Sequence, residues 1–285
     1  MGNRVTTDLI ARARIGGKAG QLILGGVVSI LLITSSSLAQ SSNDDVDELA
    51  RKVSNPASFM ISVPVHSDLD FGRRSGKVRG FSLDIEPVIP MRFNDRWNVI
   101  SHTDIPFVYT NPFGEGGSTY GLGDITQTFS FTSAAHGPLI WAIGPQFSFP
   151  TATDDLLGSG KFSLGPLGLL LYQTSSVTTG MSANHIWSVL GAGSRPDVNQ
   201  TELQPFIAWH IGKGRTISAN LDADYDWTAD QWTVPVSGSF SKIVKVGDQT
   251  MSLSLGAKYW LEGPEEGPKW GIKAGVTFLF PQTVK

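Results

Sequence analysis

The sequence predicts an all-β protein: a transmembrane antiparallel up-and-down β-barrel of about twelve strands, of the outer-membrane type. Charged residues make up only 16% of the 285 residues, whereas they make up about 25% of an ordinary soluble domain. From Ala57 onward, apolar and polar residues alternate with the period of two that is typical of strands. The connections between the alternating segments are mostly long and short in turn, as in barrels with long outer loops and short periplasmic turns.

The N-terminal region is typical of a cleaved secretory signal. A basic stretch precedes an apolar run over 22–33, and small residues follow it up to Ala39. The apolar run is shorter than the roughly 20 residues that a spanning helix needs, which disfavours a membrane anchor. We therefore predict a signal peptide over 1–39, a short periplasmic segment over 40–56 whose acidic stretch could form one short helix, and the barrel over 57–285.

Alternation divides the rest of the chain into an even number of segments, most of them long enough to cross a bilayer as tilted strands, which takes about 9–11 residues. The predicted strands are 57–66, 78–93, 97–109, 119–132, 138–149, 161–172, 177–189, 201–211, 215–226, 231–244, 249–260 and 269–280.

A soluble β-sandwich would show the same alternation, with its apolar faces turned inward. Three further features favour a barrel in a membrane: the segment length, the alternation of connection lengths, and the tryptophan and tyrosine residues near most segment ends. Aromatic residues at these positions are typical of the two membrane interfaces. We therefore expect the apolar faces to contact lipid and the polar faces to line a lumen.

The last strand resembles the C-terminal insertion signal of outer-membrane barrels. It carries Lys273, Gly275, Phe278 and Phe280 at the spacing of that signal. The resemblance implies that the barrel-assembly machinery recognises this strand by pairing with it.

Prolines inside predicted strands do not fit a regular ladder, because proline lacks the backbone donor. We expect them at bulges, at the rims or at locally open pairs, and we hypothesise that they mark a kinked or laterally open wall. They are Pro87, Pro90, Pro106, Pro145, Pro166, Pro205 and Pro235.

Charged residues on the polar faces are candidates for lining the lumen, since a charge on the lipid face costs about 2–4 kcal/mol near the midplane. The candidates are Asp84, Glu86, Asp104, Asp124, Asp222, Asp224, Asp226, Lys258 and Lys273. Two interpretations stay open. In one, an acidic wall faces a basic wall across a water-filled lumen. In the other, the charges pair with each other and fill a closed barrel.

The sequence shows no catalytic, cofactor-binding or metal-binding pattern, so we predict that the protein is not an enzyme and has no cofactor. Each histidine close to a serine lies an odd number of positions from it, as His185 lies three positions before Ser188. On a strand, such a pair points to opposite faces and cannot form a nucleophile and its base. A formal charge of −3 offers no basic surface for nucleic acid.

Seven short stretches resemble a large family of bacterial outer-membrane β-barrel transporters, similar to the barrels of the MetA pathway of phenol degradation, some of which carry a mistaken neuromedin U label. The stretches begin at Asn55, Glu86, Gly121, Pro150, Asn184, Asp197 and Trp232. The resemblance covers nearly all of 48–281. It implies an outer-membrane location in a Gram-negative bacterium and entry of small aromatic or hydrophobic compounds, and it brings no catalytic residues.

The leading functional hypothesis is passage of small solutes, aromatic or hydrophobic compounds among them, through the barrel. The alternative is a closed structural or surface-binding barrel that acts through its extracellular loops. The expected partners are the solute, the outer-membrane lipid and, during insertion, the assembly machinery. The oligomeric state cannot be read from the sequence.

Overall fold

The computed structural model describes residues 43–72, 78–111, 118–134, 137–265 and 267–280; the predicted signal peptide lies outside them. The described chain forms helix α1 (Asn43–Val53) and strands β1 (Ile61–Gly72), β2 (Val78–Ile85), β3 (Val88–Arg92), β4 (Trp97–Thr110), β5 (Thr119–Leu122), β6 (Ile125–Ser133), β7 (Leu139–Phe149), β8 (Lys161–Gln173), β9 (Val177–Gly191), β10 (Asn199–Gly212), β11 (Arg215–Leu221), β12 (Ala223–Asp226), β13 (Gln231–Val246), β14 (Gln249–Glu262) and β15 (Pro268–Phe280).

The strands form one closed antiparallel barrel of twelve spans. Three spans are each divided into two strands, namely β2 with β3, β5 with β6, and β11 with β12, so the fifteen strands make twelve crossings. The last strand, β15, pairs with β1 from Ile61 opposite Phe280 to Gly72 opposite Pro268, which closes the sheet. Closure leaves no free sheet edge. The predicted fold class is confirmed.

The first strand differs from its predicted range. Residues 57–60 are outside any strand. Residues 55–58 form a turn, in which the Asn55 side chain accepts a hydrogen bond from the Ala57 amide at 2.9 Å and Ser58 N donates to Asn55 O, and a bend follows at Phe59. Met60 is buried beside α1 rather than exposed to lipid. The strand therefore begins at Ile61 and continues to Gly72, through residues predicted as a loop.

Helix α1 packs against the inner face of the barrel, at the end where the connections are short. Its apolar residues recur at helical spacing and contact a buried cluster from β13, β15 and the segment before β1. The helix contributes Val46, Leu49, Ala50 and Val53, and the barrel side contributes Met60, Ile243 and Leu279. On the polar side, Gly214 N in the β10–β11 turn donates to Asp47 Oδ1 at 2.6 Å.

An ion pair along the helix supports α1. Lys52 Nζ lies 2.6 Å from Glu48 Oε1 at the (i, i+4) spacing, and this hydrogen bond holds the pKa of Glu48 below its ordinary value. Within the described ranges, no helix has the length and apolar character needed to cross a membrane.

Four of the strand prolines lie where the ladder is interrupted. Pro87 separates β2 from β3, and Pro235 lies at a bulge against β14. Pro145 of β7 is directly opposite Pro166 of β8, and each also lacks a ladder partner on its other side. The expected locally open pairs are thus found at the last two, toward β6 and toward β9.

Two glycines allow the strands to approach closely at these interruptions. A Cβ on Gly144 would collide with the carbonyl oxygen of Phe129, and a Cβ on Gly165 would collide with that of His185. Both glycines immediately precede a proline. Each interruption therefore coincides with a Gly-Pro pair, which lacks both a side chain and a backbone donor at the same place.

The assignment of faces can be tested with two adjacent lysine substitutions in the middle of β13. Phe240 points outward and is 45% exposed, whereas Ser241 points inward. We expect Phe240→Lys to lower the free energy of unfolding by about 2–4 kcal/mol, because it places a charge in lipid, and Ser241→Lys to lower it much less. Urea unfolding in phospholipid vesicles, followed by tryptophan fluorescence, measures both. An equal or larger loss for Ser241→Lys would reverse the assignment.

Candidate functional site: the barrel lumen

The strand registers place most of the candidate lumen residues on the inner face. The inner face is identified by small buried polar residues such as Ser163, Thr178 and Ser237, and the outer face by large exposed apolar ones. Asp84, Asp104, Asp224, Lys258 and Lys273 share the inner parity of their strands. Glu86 and Asp222 lie at the interruptions between β2 and β3 and between β11 and β12.

One wall of the lumen carries charges of both signs. Lys258 Nζ of β14 lies 2.8 Å from Asp68 Oδ2 and 3.0 Å from Asp70 Oδ1, both on β1, and the three side chains are at most 20% exposed. Lys273 of β15 stands opposite Asp68 in the ladder. We call this surface the mixed wall. Both lysines lie among its acids rather than on a separate basic wall, which agrees with the interpretation in which the charges pair with each other.

Glu86 connects two histidines on the same mixed wall. Its Oε1 lies 3.1 Å from His66 Nδ1, and its Oε2 lies 3.2 Å from His102 Nε2. Asp84 stands opposite His66 and accepts a hydrogen bond from Ser82 at 2.9 Å. One oxygen of Asp104 is buried without a hydrogen-bond partner among the described residues.

A second group of carboxylates lies on the other side of the barrel by strand order, on β10–β12. We call Glu202, Asp222 and Asp224 the acidic patch. Glu202 stands opposite Asp224 in the ladder, and its Oε2 accepts a hydrogen bond from Asn184 Nδ2 at 2.5 Å. Both oxygens of Asp222 lie 2.9 Å from Asn220 Nδ2.

The acidic patch has no compensating cation. Its hydrogen-bond donors are neutral amides, and none of its three carboxylates forms an ion pair within the described ranges. This patch therefore contributes net negative charge to the lumen, unlike the mixed wall.

Two of the candidate aspartates hold loops in place at the extracellular end. Asp124 lies between β5 and β6. It accepts hydrogen bonds from Ala152 N at 3.1 Å and from Ser159 N at 2.6 Å, which fixes the loop 150–160 to the junction of these two strands. Asp226 Oδ1 accepts hydrogen bonds from Thr228 N and Ala229 N in the turn that follows β12.

Three extracellular connections are also bound to one another. Arg195 Nη2 donates to Asp155 O at 2.7 Å and Arg195 Nε donates to Ser159 O at 3.3 Å, which joins the loop 192–198 to the loop 150–160. Thr228 of the turn 227–230 donates to Asp197 O at 3.0 Å. The three connections thus form one hydrogen-bonded unit, which we call the loop cap.

An ion pair also connects the loop 192–198 to the barrel wall. Lys161 Nζ, which is almost completely buried, lies 3.0 Å from Asp197 Oδ1. This hydrogen bond keeps the pKa of Asp197 below its ordinary value. The contact persists at neutral pH and is lost only when acid protonates Asp197.

An apolar sector lies toward the other end of the lumen. Its buried inward residues are Ala142, Leu169 and Leu171, and Ile140, Phe206 and Ala57 pack against them. Since Ala57 precedes β1, the segment between α1 and β1 contributes to the lining. The lumen therefore combines charged surfaces with a sector of aliphatic and aromatic side chains.

Sequence reasoning missed several of these residues. Asp68 and Asp70 fell in a predicted loop, although they alternate with Leu69 and Phe71, a signal that could have extended the first strand. Glu202 was at the start of a predicted strand and was not included among the candidates.

Sequence reasoning also missed Thr201, which stands directly opposite His185 on the outer face. The two residues belong to different strands, so no local spacing relates them. Ser188, by contrast, points inward opposite Ser163, so the structure separates it from His185, as its spacing predicted.

The structure offers no recognisable metal centre in the described part of the chain, where no group of three metal-binding side chains converges. In β15, Lys273 and Gly275 point inward and Phe278 and Phe280 point outward, next to Val63 and Ile61 of β1. That this strand is recognised during insertion stays a prediction.

The fold defines a class: the chain is a twelve-span β-barrel of the outer-membrane type. It superimposes on the COG4313 outer membrane channel from Pseudomonas putida F1 with a TM-score of 0.60 and 13% identity, over 79% of this chain and 99% of that one. It superimposes on the NanC porin with a TM-score of 0.52 and 8% identity, over 78% and 100% of the two chains.

At these identities the similarity establishes the fold alone. No protein-family model matches the chain, and no curated protein matches it in sequence. The resemblance to the phenol-degradation barrels therefore remains a prediction.

The acidic patch should favour cations in the lumen. We expect Asp224→Asn to lower the cation-to-anion permeability ratio, because it removes one uncompensated inward charge. Asp248→Asn is the matched control, since it removes the same charge from an exposed carboxylate in the turn between β13 and β14. Reversal potentials in a salt gradient across a planar bilayer measure the ratio. Equal effects of the two substitutions would show that the patch does not face the conducting path.

Arg195 should hold the loop 150–160 in place. We expect Arg195→Ala to speed thermolysin cleavage beside Leu156 and Leu157 several-fold, because the loop loses its hydrogen bonds to the loop 192–198. Lys245→Ala removes the same charge at the other end of the barrel and serves as the control. Unchanged cleavage in Arg195→Ala would mean that Asp124 alone fixes the loop.

Proposed function

We propose that the protein is a channel of the outer membrane of a Gram-negative bacterium and that it passes small solutes, aromatic or hydrophobic compounds among them. The observation that carries this proposal is the composition of the lumen. A charged surface, formed by the mixed wall and the acidic patch, is followed by the apolar sector, in which Ile140 and Phe206 remain partly exposed while Leu169 and Leu171 are buried. Such a lining suits a solute that has both a polar group and an aromatic or aliphatic part.

The cellular context follows from the sequence and the fold class. The signal peptide predicted over 1–39 accounts for export through the secretory pathway, and the barrel-assembly machinery inserts the closed barrel. The proposal includes no enzymatic activity and no cofactor. It also excludes nucleic acid as a partner, since the mature chain is acidic.

A second candidate function has one observation in its favour. The extracellular connections are held together by Arg195 and Asp197, as expected if the loops present a fixed binding surface. In that case the barrel is a closed structural support, and the loops bind a partner at the cell surface.

Conductance and selective uptake distinguish the two functions. We expect the refolded mature chain, residues 40–285, to give discrete current steps in a planar bilayer. In proteoliposome swelling, we expect phenyl galactoside to enter faster than galactose, because the phenyl group binds to the apolar sector. We expect Phe206→Gln to lower this preference.

The interpretation also depends on a folding control. Heat modifiability on gel electrophoresis shows whether each variant has formed the barrel. A folded barrel that carries no current and admits neither sugar would overturn the channel and favour the closed barrel. Faster entry of galactose would leave the channel and remove its aromatic preference.

A further inference from the structure

A groove opens on the lipid-facing surface of the barrel where the two opposed prolines lie. It has a volume of about 750 Å³, and its apolar lining includes Phe131, Ile143, Pro145, Pro166, Gly168 and Ala183. These six residues have outward parity in β6–β9. The groove therefore faces the hydrocarbon of the membrane and not the lumen.

The groove results from a local lack of side-chain volume. Gly168 and Ala183 stand next to each other in the ladder, and the bulkier Ile143 follows on the adjacent strand. A Cβ built on Gly168 would have no atom within 4 Å. The space above Gly168 is therefore open, and filling it would not displace the protein.

Polar side chains close the extracellular end of this groove. His185 Nδ1 lies 2.6 Å from Thr201 Oγ1, and Trp227 Nε1 donates to the same oxygen at 2.8 Å. Trp227 belongs to the turn between β12 and β13, and Trp187 covers the His185 ring with a centroid distance of 4.1 Å. This polar cluster is thus at the level where tryptophans are typical of the membrane interface.

One atom of the cluster lacks a partner. His185 Nε2 is buried and forms no hydrogen bond within the described ranges. A buried imidazole nitrogen without a partner is unusual, since buried polar side-chain atoms are normally satisfied. His185 is part of the groove lining, so an occupant can supply the missing hydrogen bond once the imidazole ring turns and brings this nitrogen to the surface of the groove.

We propose that the groove binds one lipid of the outer leaflet, with an acyl chain along Pro145, Pro166 and Gly168 and an uncharged head-group oxygen bonded to His185. The lining contains no charged side chain, so the contacting part of the head group is an ester or hydroxyl oxygen rather than a phosphate. The membrane surrounding the barrel supplies this occupant. The proposal goes beyond the channel function and does not depend on conduction.

The same cluster does not meet the requirements of a lipid hydrolase. A hydroxyl beside an imidazole acts as a nucleophile when a third group orients the imidazole through its other nitrogen. In His185 that nitrogen has no such group. The arrangement therefore suits binding of the head group and not attack on its ester bond.

Native mass spectrometry of the refolded chain tests this site, with monopalmitoyl glycerol as the probe and hexadecane as the same chain without a head group. We expect one molecule of monopalmitoyl glycerol to bind, and Gly168→Leu to weaken its binding at least fivefold by filling the groove. Gly238→Leu is the matched control, because Gly238 also faces lipid and its added Cβ would make only an ordinary contact.

His185→Phe separates the head group from the chain, since it keeps a ring against Trp187 and removes the nitrogen. We expect this variant to bind hexadecane like the parent protein and to lose the preference for monopalmitoyl glycerol. Heat modifiability verifies that each variant is folded. Equal binding to Gly168→Leu and Gly238→Leu would overturn the groove as the site, and an unchanged preference in His185→Phe would overturn the role of the histidine.

Discussion

The structure depends above all on backbone hydrogen bonding in a medium that offers no alternative partners. Within hydrocarbon, every strand amide and carbonyl has to be paired by another strand, so the sheet must close on itself. Pairing of β15 with β1 meets this requirement. The same requirement bears on the exceptions: Pro145 and Pro166 face each other in the β7–β8 ladder, and the pairing is interrupted only on the far side of each, toward β6 and toward β9. Next to each of them, a glycine lets the neighbouring carbonyl approach closely.

In a closed barrel, successive residues of each strand face the lumen and the lipid in turn, so polar and apolar surroundings alternate along the strand. Asn184 points inward and donates to Glu202, whereas the next residue, His185, points outward and contacts Thr201. Charged side chains can accumulate on the inner face of the wall because water and neighbouring polar side chains solvate them there. Lys258 between Asp68 and Asp70 is an internally compensated case, with all three side chains largely buried. The acidic patch lacks a cation, so water or a solute has to compensate its charge.

Much of the fold could be predicted from local sequence, because strand alternation and the alternating connection lengths are both local properties. All twelve crossings were expected from them, and most lie within a few residues of their predicted ranges. The first strand was the exception. The apolar residues before Ile61 resemble part of a strand in sequence, but the hydrogen bonds of Asn55 place the beginning of this segment in a turn.

The candidate site was predicted less completely, because its contacts join residues on different strands. Which face Asp84 or Lys258 occupies follows from parity within one strand. That Lys258 would pair with Asp68, 190 residues away, depends on the register across the closing strands. The sharing of Glu86 by two histidines depends likewise on β2, β3 and β4 being adjacent.

The segment of β8 around Pro166 contributes residues to both faces of the wall. Gly165 and Leu167 belong to the inner face of β8, while Pro166 and Gly168 line the outer groove. Because the backbone of this segment is unpaired toward β9 at Gly165 and Pro166, a change in its position costs fewer ladder hydrogen bonds than elsewhere in the barrel. A lipid in the groove packs against this same backbone from outside, and Asn184, which supports the acidic patch, lies on the neighbouring strand inside. The groove lining and the amide that supports the acidic patch therefore lie at neighbouring positions of β9, on opposite faces of the wall.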